Sequence, residues 1–454
     1  MRHAIIVCIV PCLIGWAVRG AEFYVDPVNG SPAGDGSAER PWRTIQEVFD
    51  AGLVESRQWD RLPHAEQSTL VARNAGAPIK AGDTIWLRSG YHGALSIRGY
   101  YNTANITLAA EEGHAPRLAS MHIRSGARWT IRGLTISAEF GPKHKRGTLV
   151  DLEGHNWHGP IHDILVEKCI IRSVEDASAW TAEDWNNLAC NGIQVDGTRM
   201  TIRDNSLRNV NFGISVAASH SLISGNLVEN FAGDGLRGLG DYCTFEYNTV
   251  KNCYDVNANH DDGFQSWSSG PGGVGHGEVL GVVLRGNTII NYDDPNQPHR
   301  GTLQGIGCFD GTFVDWVIEN NVIVTDHWHG ITLLGARRCL VINNTVLDPN
   351  DARPGPPWIR IANHKNGTAP VDCVARNNLA TGFNSTATVL EENNLTIDDP
   401  ARLFVDPEHF DLHLLPGAAA IDAGSSRDAP KLDHDRIARP QGEGVDIGAY
   451  EWRP

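Results

Sequence analysis

Short alternating strands dominate the pattern of hydrophobic and polar positions along the chain. From Met200 onward a strand-like segment recurs, each time with Asn in the same place. The aligned residues are Asn205, Asn226, Asn248, Asn287, Asn321, Asn344 and Asn378. Successive gaps between them are 21, 22, 39, 34, 23 and 34 residues. We interpret the short gaps as one coil of chain and the long gaps as one coil with an inserted loop.

A second strand, led by Gly, lies between these segments in each repeat. Its copies read NGIQVDG, FGISVAA, DGLRGLG, DGFQSWS, QGIGCFD and HGITLLG. This spacing excludes an amphipathic helix, and the lack of long helical runs between the strands argues against βαβ units. A coil that buries its apolar face only against its neighbours builds a solenoid, and Asn at one turn position can stack into a ladder. The sequence therefore predicts an all-β fold, a single-stranded right-handed parallel β-helix.

We expect this solenoid to be capped, because open sheet edges are otherwise exposed. Residues 44–52 and the segment WDRLPHAEQSTLVARNAGA are the candidate helices of an N-terminal helical cap. After about residue 400 the repeat is lost and Pro and Asp increase, which predicts an irregular C-terminal cap. The expected organisation is a signal peptide at 1–21, the N-terminal cap and first coils at 22–110, the β-helix at 111–400 and a C-terminal capping segment at 401–454.

Composition and the first residues indicate where the protein acts. The chain has 38 basic and 54 acidic residues and a net charge of −16, which repels a phosphate backbone, so nucleic acid is not an expected partner. Arg2 precedes an apolar run from Ala4 to Val18 that is too short for a comfortable membrane span, and small residues follow near Gly20. We interpret this segment as a secretory signal peptide, with an uncleaved anchor as the alternative. The expected product is a secreted or periplasmic monomer without a membrane span.

Segments at both ends accompany the repeat. FYVDPVNGSPAGDGSAERPWRTIQEVF and IKAGDTIWLRSGYHG precede it, and VDIGAYEW follows it near the C terminus. Together with the repeat they resemble the pectate-lyase-like parallel β-helix superfamily of extracellular bacterial enzymes. The resemblance covers most of the chain and implies the architecture, but it does not identify the reaction.

Alternation along the Gly-led strand predicts which side chains face outward. In stacking order these are Gln194, Ser215, Arg237, Gln265, Gly307 and Thr332. The residues just before the strand are Asn191, Phe212, Asp234, Asp262, Gln304 and His329. Because successive coils lie about 4.8 Å apart, residues remote in sequence become neighbours on one face. The densest patch is expected around Asp234, Asp261 and Asp262, with Arg237, His260 and Gln265 beside them.

Three carboxylates this close repel one another unless they are protonated or metal-bound. Oxygen ligands suit Ca2+, which would neutralise a uronate carboxylate so that a base removes the C5 proton and β-elimination follows. The DG-then-DDG arrangement resembles the calcium site of family 9 pectate lyases, which implies Asp234, Asp261 and Asp262 as ligands. That pattern has another Asp at Gln265 and a Lys base at Gly307. The remaining candidates for the catalytic base are Arg237, His260, Arg300 and His329.

Hydrolysis is a second hypothesis, because a pair of carboxyl groups can act as acid and base on a glycosidic bond. The order Asp234, Asp261–Asp262, His329–Gly330 and Arg360 resembles the motif set of family 28 polygalacturonases. This resemblance implies carboxyl groups as acid and base, with the His and Arg in binding and tuning.

Two further functions stay open, because C5 epimerisation shares the proton-abstraction step of a lyase and a solenoid can bind glycans without catalysis. Trp267 and Phe309 project beside the patch, where they are expected to stack on sugar faces. Gln265 and Arg360 complete the expected substrate-binding residues. The first expectation is a secreted carbohydrate-active enzyme that cleaves an acidic, uronate-containing polysaccharide by β-elimination in a groove on the β-helix face.

Overall fold

The computed structural model describes residues 20–294, 296–350 and 353–453. Its strands stack in parallel into a right-handed β-helix, which confirms the predicted fold class. The predicted signal peptide lies largely outside the described residues, at 1–19. In the described part of the chain, no helix has the length and apolar character needed to span a membrane.

One face of the β-helix, here called the site face, carries the Gly-led strands. Its strands are Ala94–Ala110, Ser120–Arg132, Thr148–Glu153, Asn191–Val195, Ile214–Val216, Leu236–Gly238, Asp262–Trp267, Gln304–Asp310, His329–Leu334 and Trp358–Ala362. The first two are long and continue onto the next face. The inward residues of the site face are buried, as the alternation predicts.

Two further faces complete each coil. The second face consists of Glu22–Val25, Thr84–Leu87, Ile161–Glu167, Thr201–Arg203, Leu222–Ser224, Thr244–Glu246, Val283–Arg285, Val317–Glu319, Leu340–Ile342, Val374–Arg376 and Leu390–Glu392. The third face consists of Gly90–Tyr91, Pro116–Leu118, Thr135–Ser137, Ile170–Arg172, Ser206–Val210, Leu227–Phe231, Thr249–Cys253, Thr288–Ile290, Val322–Val324, Thr345–Leu347, Leu379–Ala380 and Leu395–Thr396. A short parallel sheet of Glu278–Leu280, Thr312–Val314 and Ala336–Arg337 lies beside them.

The predicted Asn ladder is present. The side-chain oxygen of each ladder Asn accepts hydrogen bonds from the backbone N–H and the side-chain amide of the previous one, at 2.9–3.1 Å. Asn394 adds one more step after Asn378. The ladder therefore holds consecutive coils in one register, because each Asn is hydrogen-bonded to the ladder Asn of the next coil.

The Gly that leads each site-face strand is needed for the close stacking of coils. A Cβ at Gly213 would lie 2.2 Å from the carbonyl oxygen of Gly235, and a Cβ at Gly305 would lie 2.2 Å from that of Gly330. A Cβ at Gly235, Gly263 or Gly330 would instead lie 2.3–2.5 Å from a Val or Ile side chain of the third face. The Gly of each Asp-Gly, Gln-Gly and His-Gly pair is thus required by packing, whereas the residue before it is free to carry chemistry.

The N-terminal cap is only partly helical. Thr44 caps the helix Ile45–Asp50 in a capping box with Glu47, as predicted. The prediction of a helix within 59–77 is wrong, because Ser56–Trp59 and Leu70–Arg73 pair as an antiparallel hairpin. Packing decides this outcome, since the ring of Trp59 lies against that of Tyr101 and holds the hairpin to the first coils. The helix Ala182–Leu188 belongs to a loop between coils.

The C-terminal segment packs along the side of the coils. It contains the hairpin Phe404–Asp406 with Asp411–Leu414 and the 3-10 turns Pro400–Arg402 and Pro407–His409. Its apolar residues form a second core with the outward side of the third face. Hydrogen bonds from Asn320 to Leu432 and from Asn343 to Asp446 join it to coils far back in the sequence.

Candidate active site

The site face aligns its outward side chains in one row, here called the outward column. In order, its residues are Asp151, Gln194, Ser215, Arg237, Gln265, Gly307, Thr332 and Arg360. This is the stacking order that the sequence predicts, extended by one coil at each end. Arg360 is therefore a direct neighbour of Thr332, although 28 residues separate their numbers.

Asp234 and Asp262 meet across adjacent coils. The backbone N–H of Asp262 donates to Oδ1 of Asp234 at 3.1 Å. Asp261 directly precedes Asp262 in the sequence. All three residues are buried: Asp234, Asp261 and Asp262 are 2%, 6% and 0% exposed. The structure thus brings the three predicted carboxyl groups together, but beneath the surface of the groove rather than on it.

Burial favours the protonated forms of these carboxyl groups, and protonation reduces their mutual repulsion. Burial raises the pKa of Asp261 to about 7. It raises the pKa of Asp262 well above its ordinary value, and the charges of Asp234 and Asp261 raise it further. Burial also raises the pKa of Asp234, against the opposing effect of the Arg237 guanidinium bonded to it. Burial therefore favours the neutral form of Asp262, whereas the guanidinium bonded to Asp234 favours the charged form of that carboxyl group.

The three carboxyl groups do not fit a calcium ion in this arrangement. Oδ2 of Asp234 accepts from Arg237, and Oδ2 of Asp262 accepts from the Gln265 amide at 2.9 Å. Within the described ranges, their oxygens are not among the sets of three ligand atoms that lie within 4.8 Å of one another. The calcium site predicted from the sequence remains untested, and the mechanism proposed below uses no metal ion.

Arg237 is fixed on three sides. Its guanidinium carbon lies 3.5 Å from the ring centre of Phe212 and 5.4 Å from that of Trp267, and its Nε donates to Asp234. A guanidinium held in place by a carboxylate and two rings is well positioned to bind an anionic or polar ligand. This contact set favours Arg237 as a substrate-binding cation over its predicted role as a catalytic base, which remains untested.

A second cluster forms around His329, two coils further on. Its Nδ1 lies 2.9 Å from the hydroxyl of Thr332, which also accepts from the indole N–H of Trp358 at 3.3 Å. The rings of Phe309 and Trp358 face the imidazole with centroids at 4.7 and 5.7 Å. Burial lowers the pKa of His329 to about 4, helped by the neighbouring charges of His327 and Arg360. His329 is therefore a neutral imidazole above that pH.

His260 links the two clusters. It is exposed, and its charge acts on the pKa values of both Asp234 and His327. The ring of His327 lies 5.2 Å from that of His329, and burial lowers the pKa of His327 to about 4. His260 is therefore near enough to both the aspartate cluster and the histidine cluster to act on their charges.

The two remaining predicted arginines differ in position. Arg360 is half-buried, its Nε has no hydrogen-bond partner within the described chain, and its guanidinium carbon lies 5.5 Å from the ring of Trp358. It is close enough to His329 to lower the pKa of that imidazole. Arg300 stacks on Tyr292 at 4.1 Å, in the loop before Gln304–Asp310. Its predicted catalytic role remains untested.

Sequence reasoning missed the part of the groove that precedes Arg237. A cavity of about 320 Å³ lies there, and its lining includes Asp151, Glu153, Asn191, Asp196 and Phe212. Atoms of His122, Asp151 and Glu153 converge within 4.8 Å, and Arg124 already pairs with Glu153 at 2.8 Å. The coil of Asp151 and Glu153 lacks the Asn marker, so the repeat alone did not place these two residues in the groove.

Comparison with known proteins agrees with the architecture. Residues 191–355 match the family model of a right-handed β-helix region. No curated protein matches the chain by sequence.

Solved structures with the same fold include a complex with xylose, a pectate lyase and a mannuronan C-5 epimerase. The complex of XylC with xylose covers 94% of this chain and 98% of its own, at 10% identity and a TM-score of 0.57. Pectate lyase Pel9A covers 95% and 96%, at 15% identity and a TM-score of 0.39. The A-module of mannuronan C-5 epimerase AlgE6 from Azotobacter vinelandii covers 69% and 82%, at 14% identity and a TM-score of 0.43. Likeness at these identities shows the fold alone.

Proposed function

We propose that the protein is a secreted carbohydrate-active enzyme that cleaves a uronate-containing polysaccharide by β-elimination in the groove of the site face. The observation that carries this proposal is the placement of Arg360 beside His329. The neutral imidazole of His329 lies half-buried between the rings of Phe309 and Trp358. Arg360, a half-buried cation whose Nε has no partner in the described chain, lies against Trp358 and acts on the pKa of His329. β-Elimination from a uronate needs this pair, because one group must bind the carboxylate and another must take the C5 proton.

Arg360 binds the uronate carboxylate in this mechanism. A guanidinium presents two parallel N–H groups to a carboxylate and neutralises its charge. Neutralisation makes the C5 proton more acidic, because the developing negative charge spreads onto the carboxylate. The rings of Phe309 and Trp358 pack against the sugar faces.

His329 is the base. In the tautomer with its proton on Nδ1, the imidazole donates to the Thr332 hydroxyl and leaves the lone pair of Nε2 free. The Nε2 takes the C5 proton, the electron pair of that C–H bond forms the C4–C5 double bond, and the bond from C4 to the glycosidic oxygen breaks. The leaving oxygen then takes a proton from the imidazolium or from water.

The aspartate cluster tunes the charge of the groove. Burial favours the neutral form of Asp262, and Asp234 is paired with Arg237, so the groove does not present three free carboxylates to the substrate. This arrangement lets a protein of net charge −16 accept an acidic polymer.

Glycoside hydrolysis is the second candidate, because a carboxyl group with a pKa of about 7, as in Asp261, suits a general acid. The burial of all three carboxyl groups weighs against it, since a sugar must reach the acid and the base directly.

A panel of uronic acid polymers tests the proposal. Absorbance of the unsaturated product means a lyase, and new reducing ends without it mean a hydrolase. A changed C5 configuration in the proton NMR spectrum, with neither signal, means an epimerase. Saturable binding without any reaction means a glycan-binding solenoid. Only the first outcome supports the proposal, and the His329→Gln variant must then lose that absorbance while the exposed loop variant His276→Gln keeps it.

A further inference from the structure

The cavity before Arg237 forms a pocket along four residues of the outward column. Gln194 and Ser215 lie in the middle, with Asp151 at one end and Arg237 at the other. The three steps between these ends span roughly 14 Å at the spacing of parallel strands. Three further steps of the outward column separate Arg237 from Thr332 in the proposed catalytic cluster.

Aromatic and polar groups line the sides of this pocket. The rings of Phe212 and Trp267 lie at the Arg237 end, where they hold its guanidinium between them. Asn191 and the exposed amide of Gln194 add hydrogen-bonding groups. Such a combination of apolar rings and convergent polar groups is typical of a small-ligand site, and it matches the apolar faces and polar edge of a pyranose ring.

The balance of charge in the pocket is negative. Arg237 is neutralised by Asp234, and Glu153 is neutralised by Arg124. Two further carboxyl groups line the pocket, Asp151 and Asp196. Burial raises the pKa of Asp151, His122 at 3.6 Å opposes this shift, and the charges of Glu153 and Asp196 add to it. Carboxylates accept hydrogen bonds from hydroxyl groups but repel another carboxylate.

We infer that this pocket binds a neutral pyranose through its hydroxyl groups, and that the substrate is a mixed polysaccharide in which uncharged sugars neighbour the uronate. That this neutral sugar belongs to the same polymer as the uronate rests on the proposed function. The binding preference of the pocket does not, because it follows from the lining residues alone.

Matched pairs of monosaccharides test the inference. Glucose with glucuronate, galactose with galacturonate, and mannose with mannuronate differ only in the carboxylate. Calorimetric titration at neutral pH uses the full chain and its Arg360→Gln variant, in which the proposed uronate site is silenced. In that variant we expect at least one neutral sugar to bind and its uronate partner to bind about tenfold more weakly, as like charges require. Equal or tighter binding of the uronate, or no saturable binding of any of the six, overturns the inference.

Asp196→Asn separates charge from shape. The amide keeps an oxygen that can accept from the Gly197 N–H, as the carboxylate does at 2.7 Å. We expect the preference for the neutral sugar to shrink about threefold or more when this charge is removed. Glu443→Gln removes an exposed charge in the C-terminal segment and leaves the preference unchanged. An unchanged preference in Asp196→Asn contradicts the electrostatic argument.

Polymer assays separate the two proposals. Selective binding of neutral sugars without elimination on any polymer leaves the pocket inference standing and removes the proposed function. Elimination on a pure uronan as efficient as on mixed polymers, without neutral-sugar binding, removes the pocket inference and leaves the proposed function.

Discussion

Gly307 makes room for the carboxyl group of Asp262. A Cβ at position 307 would lie 2.1 Å from Oδ1 of Asp262, an atom that is buried and has no hydrogen-bond partner in the described chain. A side chain at 307 and a buried carboxyl group at 262 therefore exclude each other. The absence of a side chain at position 307 and the burial of Asp262 are therefore two aspects of one feature.

Gly307→Ala tests this relationship. The added methyl group must displace Asp262 or the nearby ring of Phe309, and overpacking of this kind costs about 1–3 kcal/mol. We expect the free energy of unfolding in urea to fall by that amount. Gly147→Ala is the matched control, because a Cβ there meets no atom within 4 Å and its φ is not positive. An equal effect of both substitutions would contradict the assigned clash.

The role of His329 predicts a specific pH profile. A base must be unprotonated, so activity should hold above the His329 pKa of about 4 and fall as the pH drops below it. His329→Gln should lower kcat about 100-fold or more at neutral pH, since general base catalysis contributes on that scale. Initial rates of unsaturated-product formation measure both effects. A variant within threefold of wild type would exclude His329 as the base.

Asp261 predicts a stability change with pH. Its pKa is about 7 in the folded chain against about 3.9 when unfolded, so the folded state binds more protons between these values. The stability of the folded chain should therefore fall as the pH rises from 4 to 7, by up to a few kcal/mol from this group. Asp261→Asn removes that group, and denaturation at pH 4, 5.5 and 7.5 should show a flatter profile for the variant. Parallel profiles would show that Asp261 titrates normally.

Substitution of an Asn in the interior of the ladder should lower the melting temperature more than substitution of the last ladder Asn. Asn287→Ala removes the acceptor of the buried Asn248 N–H and two donated bonds, to Phe245 and Asn321. An unsatisfied buried donor costs about 1–3 kcal/mol, so the melting temperature should drop clearly. Asn394→Ala, at the partly exposed last step, should cost less. The reverse order would mean that the ladder contributes little to stability.

Chelation tests the calcium prediction. Because Asp234 is bonded to Arg237 and these carboxyl groups offer no set of three oxygens within 4.8 Å of one another in the described chain, we expect EGTA to leave the melting temperature and any elimination activity unchanged. Readdition of Ca2+ or Mg2+ to the dialysed chain is the control. A fall in either quantity that Ca2+ alone restores would revive the site implied by the family 9 pattern.

The periodic part of the molecule could be predicted from the sequence because it repeats. Asn and Gly recur where a ladder bond or a close backbone contact leaves no alternative, so their spacing gave the register and placed Asp234 beside Asp262. Where the marker is missing, the same reasoning stopped. Asp151 and Glu153 lie on coils without the ladder Asn, and their place in the groove depends on strand pairing alone.

Burial and local conformation were harder to predict. The sequence places Asp262 just before the strand, beside the groove, but its depth depends on the absent side chain of Gly307 in the next coil. The segment around Trp59 has residues that suit a helix, but its ring packs against Tyr101 and the chain pairs as a hairpin. Both cases depend on contacts between residues that no short window of sequence contains.

The ladder also separates what this protein can change from what it must keep. Asn226 and Asn248 are 22 residues apart and Asn248 and Asn287 are 39 apart, yet each pair is one step of the ladder. Insertions between ladder residues thus leave the hydrogen bonds of the ladder unchanged. Evolution, or an engineer, can rewrite the loops that border the groove one at a time, and the columns beneath will still present their side chains in the same order.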